Sequence, residues 1–153
     1  MSLLKLLQQL LVRITFVIFL TLSIPTVTWA TSWTEGYLTP CPTSNNCVVS
    51  QNADVKHSID PIPYHVDRDK ARETLLKVLT VVPRTEVIEQ TDNYIHALSK
   101  SRIFKFVDDV EFYLPAHESV IHIRSASRVG ESDLGVNRRR LEQIRLALRD
   151  LNI

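Results

Sequence analysis

After residue 66, apolar side chains recur with two different periods, which predict two helices with strands between them. A spacing of three and four residues predicts a first helix that is capped by Asp67 or Asp69 and runs to about Val82, where Pro83 ends it. Its apolar stripe comprises Ala71, Leu75, Val78, Leu79 and Val82.

Four short segments follow that are rich in β-branched and aromatic residues and are separated by turn-forming residues. They predict strands over residues 87–91, 94–99, 103–114 and 119–128. Alternation within the third strand predicts a core face formed by Phe104, Phe106, Val110, Phe112 and Leu114. The other face, which we expect to point outwards, carries Lys105, Asp109 and Glu111.

Asp108 shares the core-facing parity of the third strand, so its carboxylate needs a partner to offset the cost of burial. One face of the fourth strand carries His122, Arg124, Ala126 and Arg128. Because a meander places this strand beside the third, we expect Asp108 to pair with Arg124 or Arg128. Two interpretations stay open: an ion-pair ladder that fixes the register, or a ligand cleft that also includes Arg138.

A second amphipathic helix is predicted at the end of the chain, with an apolar face formed by Leu134, Leu141, Ile144, Leu148 and Leu151. Asp133 is favoured as its cap over Ser132 and Asn137, because Leu134 then stays on the apolar face. The elements together predict an α+β fold with a four-stranded antiparallel sheet and both helices packed on one face. The other face is expected to be free or covered by the segment before residue 67.

The turn from the fourth strand into the last helix forms a candidate polar corner with Asp108, Arg124, Arg128, Asp133 and Arg138. The start of a helix presents free N–H groups and the positive end of its dipole, which favour an anion. Arg128 and Arg138 would add charge-assisted bonds to an acidic group of a partner. Asp133 competes for the same amides as a cap.

Residues 1–30 have the features of a secretory signal peptide. They contain Lys5 and Arg13 but no acid, followed by an apolar stretch and then small residues at Thr28 and Ala30. An uncleaved membrane anchor over residues 6–24 is the alternative. The predicted organisation is a signal peptide over 1–30, an extended arm over 31–66 and a folded core over 67–153.

The predicted arm contains both cysteines of the chain, Cys41 and Cys47, in a loop rich in turn-forming residues. In an oxidising compartment two cysteines this close favour a disulfide over a zinc site, since two thiolates would need two further ligands. The residues His57, Asp60, His65 and Asp67 match no helix or strand face, and we expect no metal site there.

Composition excludes some classes of function. The chain has 153 residues, 44% of them apolar, which suffices for one domain with a substantial core. Its 18 basic and 17 acidic residues nearly cancel, so no nucleic-acid partner is predicted. Only three glycines are present, which excludes a glycine-rich phosphate-binding loop.

Three motifs resemble the DUF1499 family, a family of proteins of unknown function. They are C-P-T-S-N-N-C-V-V-S-Q, then F-V-D-D-V-E-F, then R-S-A-S-R-V-G-E-S-D-L-G-V-N-R-R-R-L-E. The resemblance covers about residues 40–153 and departs at Asn45, where proline is more frequent, and at Val49, where serine is common. It implies an exported or plastid-lumen protein of a bacterium or a photosynthetic organism, and it implies no reaction.

Export, small size and near-neutral charge favour a non-enzymatic accessory protein of the periplasm or thylakoid lumen. Such a protein would act with a membrane complex or another exported partner and would need no cofactor. One alternative is a domain that binds a small ligand or lipid between the sheet and the helices. Another is a hydrolase that uses Ser125 or Ser127 with His122, although no G-x-S-x-G elbow is present.

Overall fold

A computed structural model describes residues 36–153, which belong to one compact unit. The predicted signal peptide over 1–30 and the alternative anchor over 6–24 lie outside the described residues. The strands are β1 Cys47–Val49, β2 Ile62–Pro63, β3 Thr85–Gln90, β4 Tyr94–Lys100, β5 Val107–Tyr113 and β6 Val120–Ser127. The helices are α1 Arg68–Val81 and α2 Val136–Asp150.

The strands form one antiparallel sheet in the order β1-β6-β5-β4-β3, and β2 also pairs with β6. The α+β class and the meander of β3 to β6 are confirmed, but the sheet has six strands rather than four. The additional strands β1 and β2 come from the predicted arm. They pair with one edge of β6, while β5 pairs with the other edge. These strands have only three and two residues, too few for a recognisable alternation.

Helix α1 forms where the apolar spacing predicts it. The side chain of Asp67 accepts a hydrogen bond from Lys70 N at 2.8 Å, which satisfies one free amide of the first turn. The helix ends at Val81, one residue before the predicted end, and Pro83 follows. Its buried positions are Ala71, Thr74, Leu75, Val78 and Leu79.

Both helices pack on one face of the sheet, as predicted. Leu141, Ile144 and Leu148 of α2 join the α1 stripe in one core cluster, together with Phe112 and Ile123 of the sheet. At the ends of the predicted stripe, however, Leu134 and Leu151 are exposed. Leu134 lies before the helix, which begins only at Val136.

The third predicted strand begins four residues later than expected, at Val107. Phe104 and Phe106 are therefore 73% and 51% exposed, and their prediction as core residues is wrong. Lys105 between them adopts a φ of 56°, which is outside the range of a strand. The period-two alternation breaks at this residue, and Asp108 beyond it does face the core, as predicted.

The arm covers the sheet face opposite the helices. Leu38 and Val49 pack there against Tyr94, and the predicted disulfide between Cys41 and Cys47 is present, with the two Cα atoms 5.6 Å apart. Glu111 points to this face, as its parity predicts, but it is fully buried rather than exposed. Neither helix of the described region is long and apolar enough to cross a membrane.

Candidate functional site

Polar residues on the helix-facing side of β5 and β6 meet the first turns of α2 in a buried network. Asp108 comes from β5, and Ser125 and Ser127 come from β6, opposite Val110 and Asp108 in the register. Asn137 and Arg140 come from α2. The spacing of three residues between them places both side chains on one side of the helix.

Asp108 forms an ion pair with Arg140 of α2, with 2.6 Å between Oδ2 and Nη2. Both side chains are buried, with exposures of 6% and 10%. The predicted pairing of Asp108 with Arg124 or Arg128 is therefore wrong. The register shows the reason: Asp108 lies opposite Ser127, and Arg124 lies opposite Glu111, so the two charged side chains point to opposite faces of the sheet.

Asn137 is the centre of this network and is completely buried. Its Oδ1 accepts hydrogen bonds from Ser125 Oγ at 2.6 Å and from Arg140 Nη1 at 2.7 Å. Its Nδ2 donates to the carbonyl of Asn46 at 2.9 Å and to Ser127 Oγ at 3.1 Å. Every hydrogen-bonding position of the amide is thus used, as burial requires.

Sequence reasoning considered Asn137 only as a helix cap and did not single out Arg140. The sequence does contain an indication of their position. Asn137 and Arg140 are three residues apart and directly precede Leu141, the first buried apolar residue of the helix. A polar pair at this spacing beside core positions indicates that both side chains face inwards.

The other arginines of the predicted corner lie elsewhere. Arg124 bonds to Glu111 on the arm-covered face, and the hydroxyl of Tyr94 donates to Glu111 at 2.7 Å. Burial, and then the negative charge of Glu111, raise the pKa of Tyr94 well above its usual range. The Nε of Arg124 is buried and has no hydrogen-bond partner among residues 36–153.

Arg128 bonds to Asp109, which β5 also directs to the arm-covered face. Its Nη2 and Nε lie 2.8 Å and 3.0 Å from the carboxylate, and His96 Nε2 lies 2.8 Å away. Burial acts to raise the pKa of Asp109, but the hydrogen bonds from His96 and Arg128 outweigh it. The pKa of this carboxyl is consequently well below its usual range.

The prediction of Asp133 as the N-cap residue is wrong, because Gly135 occupies that position and α2 begins at Val136. The side chain of Asp133 nevertheless binds backbone amides at the start of α2. Its two carboxylate oxygens accept from Gly135 N at 2.9 Å and from Asn137 N at 2.6 Å. Arg138 donates to the carbonyl of Ser58 at 2.8 Å in the arm. The five residues of the predicted corner therefore lie in four places, and only Asp108 and Asp133 share one.

Those two residues line a cavity of about 330 Å³ at the end of the sheet, next to the start of α2. Its apolar wall is formed by Phe106, Val129 and Val136, and Ser127 adds a hydroxyl. Asp108 is only 4% exposed, and its Oδ1 accepts no hydrogen bond from the described residues. Among residues 36–153 the buried side-chain atom without a partner is Arg124 Nε, so Asp108 Oδ1 is reached by solvent and can receive a donor from a bound molecule.

The residues of the hydrolase hypothesis do not meet. Ser125 faces the helices, and His122, which lies opposite Tyr113 in the register, faces the arm. His122 Nδ1 lies 3.3 Å from Ser50 Oγ, and this hydroxyl accepts a hydrogen bond from Ile123 N at 2.8 Å. The contact attaches the arm to β6. Burial lowers the pKa of His122, although the nearby Glu118 opposes the shift.

Comparisons with known proteins agree with the resemblance found in the motifs. Neither the curated proteins nor the solved structures contain a significant match. Residues 37–148, which include β1 to β6 and most of α2, match a family described as protein of unknown function. The chain therefore belongs to the DUF1499 family.

Proposed function

We propose that the protein is a non-enzymatic binding domain whose cavity between β5, β6 and α2 holds a small amphiphilic molecule. The molecule has a cationic or hydrogen-bond-donating head and a short apolar body. Of the hypotheses derived from the sequence, this one develops the small-ligand alternative. The hydrolase alternative loses support because Ser125 and His122 are on opposite faces of β6.

The carboxylate of Asp108, a residue of the cavity lining whose Oδ1 takes no hydrogen bond from the described residues, carries the proposal. Arg140 holds the other oxygen, so the carboxylate is fixed in place before any ligand arrives. A donor that reaches Oδ1 would replace a solvent contact with a charge-assisted hydrogen bond in a partly desolvated site. Fixed groups of this kind reduce the entropic cost of binding.

The volume and the other lining residues of the cavity indicate the size and polarity of the ligand. A volume of about 330 Å³ is at the lower end of the range for small-molecule sites, which favours a compact molecule. Phe106, Val129 and Val136 offer apolar contact. Asp133 adds a second carboxylate, and no lysine or arginine belongs to the lining of this cavity. An ammonium or amide head is therefore favoured over a phosphate or carboxylate.

Binding of hexylamine, hexanol and hexanoate, followed by NMR chemical shifts, tests this function. We expect hexylamine to bind most tightly and hexanoate not to bind. Asp108→Asn should weaken hexylamine binding at least tenfold, since it removes the charge that faces the cavity. Asp109→Asn is the matched control, because the same change then lies on the opposite face of the same strand. Equal binding of hexylamine and hexanoate would contradict the proposal.

An exported accessory role in the periplasm or thylakoid lumen remains part of the proposal, together with an exported or membrane-complex partner. It is supported by the basic and then apolar pattern of residues 1–30 and by the disulfide, which an oxidising compartment favours. N-terminal sequencing of the protein from its host should give Thr31 as the first residue. A start at Met1 or Ser2 would indicate a membrane anchor instead.

A further inference from the structure

We infer that the loops around the cavity mouth form a docking surface for an anionic lipid bilayer. The apolar part of this surface, here called the apolar rim, comprises Ile103, Phe104, Phe106, Val129 and Leu134. These side chains are between 51% and 85% exposed. The two loops that carry them lie at the same end of the sheet, where Arg128 N donates to the carbonyl of Val107 at 3.0 Å. Several large exposed apolar residues at one end of a small domain indicate an interaction surface. Docking at the rim does not depend on the ligand proposed above.

The loop between β4 and β5 holds its part of the rim in a fixed, outward position. Ser101 N donates to the carbonyl of Phe106 at 2.8 Å, and Phe106 N donates to Ser101 Oγ at 2.9 Å. These bonds close the loop, so that residues 102–105 form its tip. The rings of Phe104 and Phe106 stack with 5.5 Å between their centroids.

The loop between β6 and α2 supplies the second part of the rim. Leu134 has a φ of 52°, a left-handed conformation that is unfavourable for a leucine. The loop keeps it because Asp133 binds the following amides and because Arg139 Nη1 donates to the carbonyl of Leu134 at 2.8 Å. A leucine held in this conformation with its side chain in solvent indicates a role outside the core.

Charge on the first loop of the rim favours a bilayer as the occupant, whereas the second loop carries Glu131 and Asp133. Residues 100–107 contain Lys100, Arg102 and Lys105 but no acid, and none of these cations takes part in a salt bridge of the described region. Arg102 and Lys105 directly flank Ile103 and Phe104. Aromatic and aliphatic side chains enter the boundary between headgroups and acyl chains, while neighbouring cations are attracted to anionic headgroups.

The form of the rim favours a bilayer over a folded partner. Its members are at the tips of two separate loops, and not on a continuous helix face or along a sheet edge. Peptide recognition usually adds a strand to an edge or places a helix in a groove, and the five residues of the apolar rim form neither surface. Separate apolar tips beside unpaired cations match the chemistry of an interface with phosphate headgroups.

A fluorophore at Ile103 tests the inference in the full-length chain. Cys41 and Cys47 are bonded to each other, so a maleimide derivative of an environment-sensitive dye labels only the new thiol of Ile103→Cys. Vesicles of phosphatidylcholine that contain phosphatidylglycerol should shift the emission of the dye to shorter wavelength. Vesicles of phosphatidylcholine alone should not. The control is Val55→Cys, which is 98% exposed but lies in the arm, and which should show no shift.

Removing the flanking charges gives a second measurement. Arg102→Gln combined with Lys105→Gln should weaken insertion of the labelled loop by roughly thirtyfold, because each cation near an anionic surface contributes a factor of about five. No shift at position 103, or an equal shift at position 55, would overturn the inference. A shift that appears without vesicles as protein concentration rises would show self-association instead. Hexylamine binding is measured without lipid. Failure of the ligand proposal and failure of the membrane proposal can therefore be distinguished.

Discussion

Asp108 and Arg140 show how a strand position that faces the core can carry a charge. The two side chains are largely buried and compensate each other's charge, while Ser125 Oγ and Asn137 Oδ1 accept hydrogen bonds from Arg140 Nη1. Removal of one member of a buried pair leaves an uncompensated charge, which is more destabilising than removal of both.

Asp108→Ala should therefore lower the free energy of unfolding by about 3 kcal/mol. The double variant with Arg140→Met should lose less stability than the two single variants together, because it leaves no unpaired charge in the core. Urea denaturation of the native protein and the three variants provides the comparison. Additive losses would mean that the two groups do not interact.

The pH dependence of stability should follow Asp109. Its pKa is lower in the folded protein than the ordinary value of 3.8, so the stabilisation is complete above that value. It is lost as the pH falls through the folded pKa. Urea denaturation at a series of pH values below 5 measures the free energy of unfolding of the native protein and of Asp109→Asn. The difference between the two should decrease as the pH is lowered. A difference independent of pH would exclude an ionised Asp109 as the cause.

Sequence parity predicts which way a strand residue points, but it does not identify the residue across the core. The burial of Asp108 was predictable for this reason, and its partner was not, because Arg140 is 32 residues away on another element. The burial of Glu111 was missed because the arm, which has no periodic pattern of its own, covers that face.

At the scale of elements, the ends are harder to predict than the interiors. The alternation of residues 103–114 fits a single strand, yet the left-handed turn at Lys105 removes the first part of it. Turns with positive φ usually contain glycine or asparagine, and residues 100–107 contain neither. The helices were predictable because their apolar stripes extend over three to four turns.

The start of α2 gives a prediction at this scale. Asp133→Ala removes two hydrogen bonds, to Gly135 N and Asn137 N, and should lower the free energy of unfolding by about 1–2 kcal/mol. Thermal or urea denaturation measures the loss. Glu131→Ala is the matched control, since this exposed acid makes no side-chain hydrogen bond in the described region and should change stability little.

For the whole molecule, the arm is the feature that sequence patterns did not reveal. The fold class, the helices and the central strands follow from periodicity. The strands β1 and β2 form only because β6 offers an unpaired edge, so their existence depends on a sheet that is distant in the chain. The disulfide was predictable because its two cysteines are close together in the sequence.

Replacement of Cys41 and Cys47 by serine should lower the free energy of unfolding by about 2 kcal/mol, the value for closing a loop of about seven residues. Denaturation of the variant, and of the native protein with a reductant, should give the same loss. A variant as stable as the native protein would show that the arm is held by β6 alone.

The position of the arm has a consequence for the behaviour of the protein in solution. β6 is the longest strand described, with eight residues, and only β1 and β2 cover its outer edge. The sheet's opposite edge, β3, has a bulge between Val87 and Glu89, an irregularity that hinders pairing with another chain. If the arm is released, β6 presents a long open edge with alternating apolar residues, which favours aggregation. The solubility of the protein is then linked to how firmly β1 and β2 are held on β6.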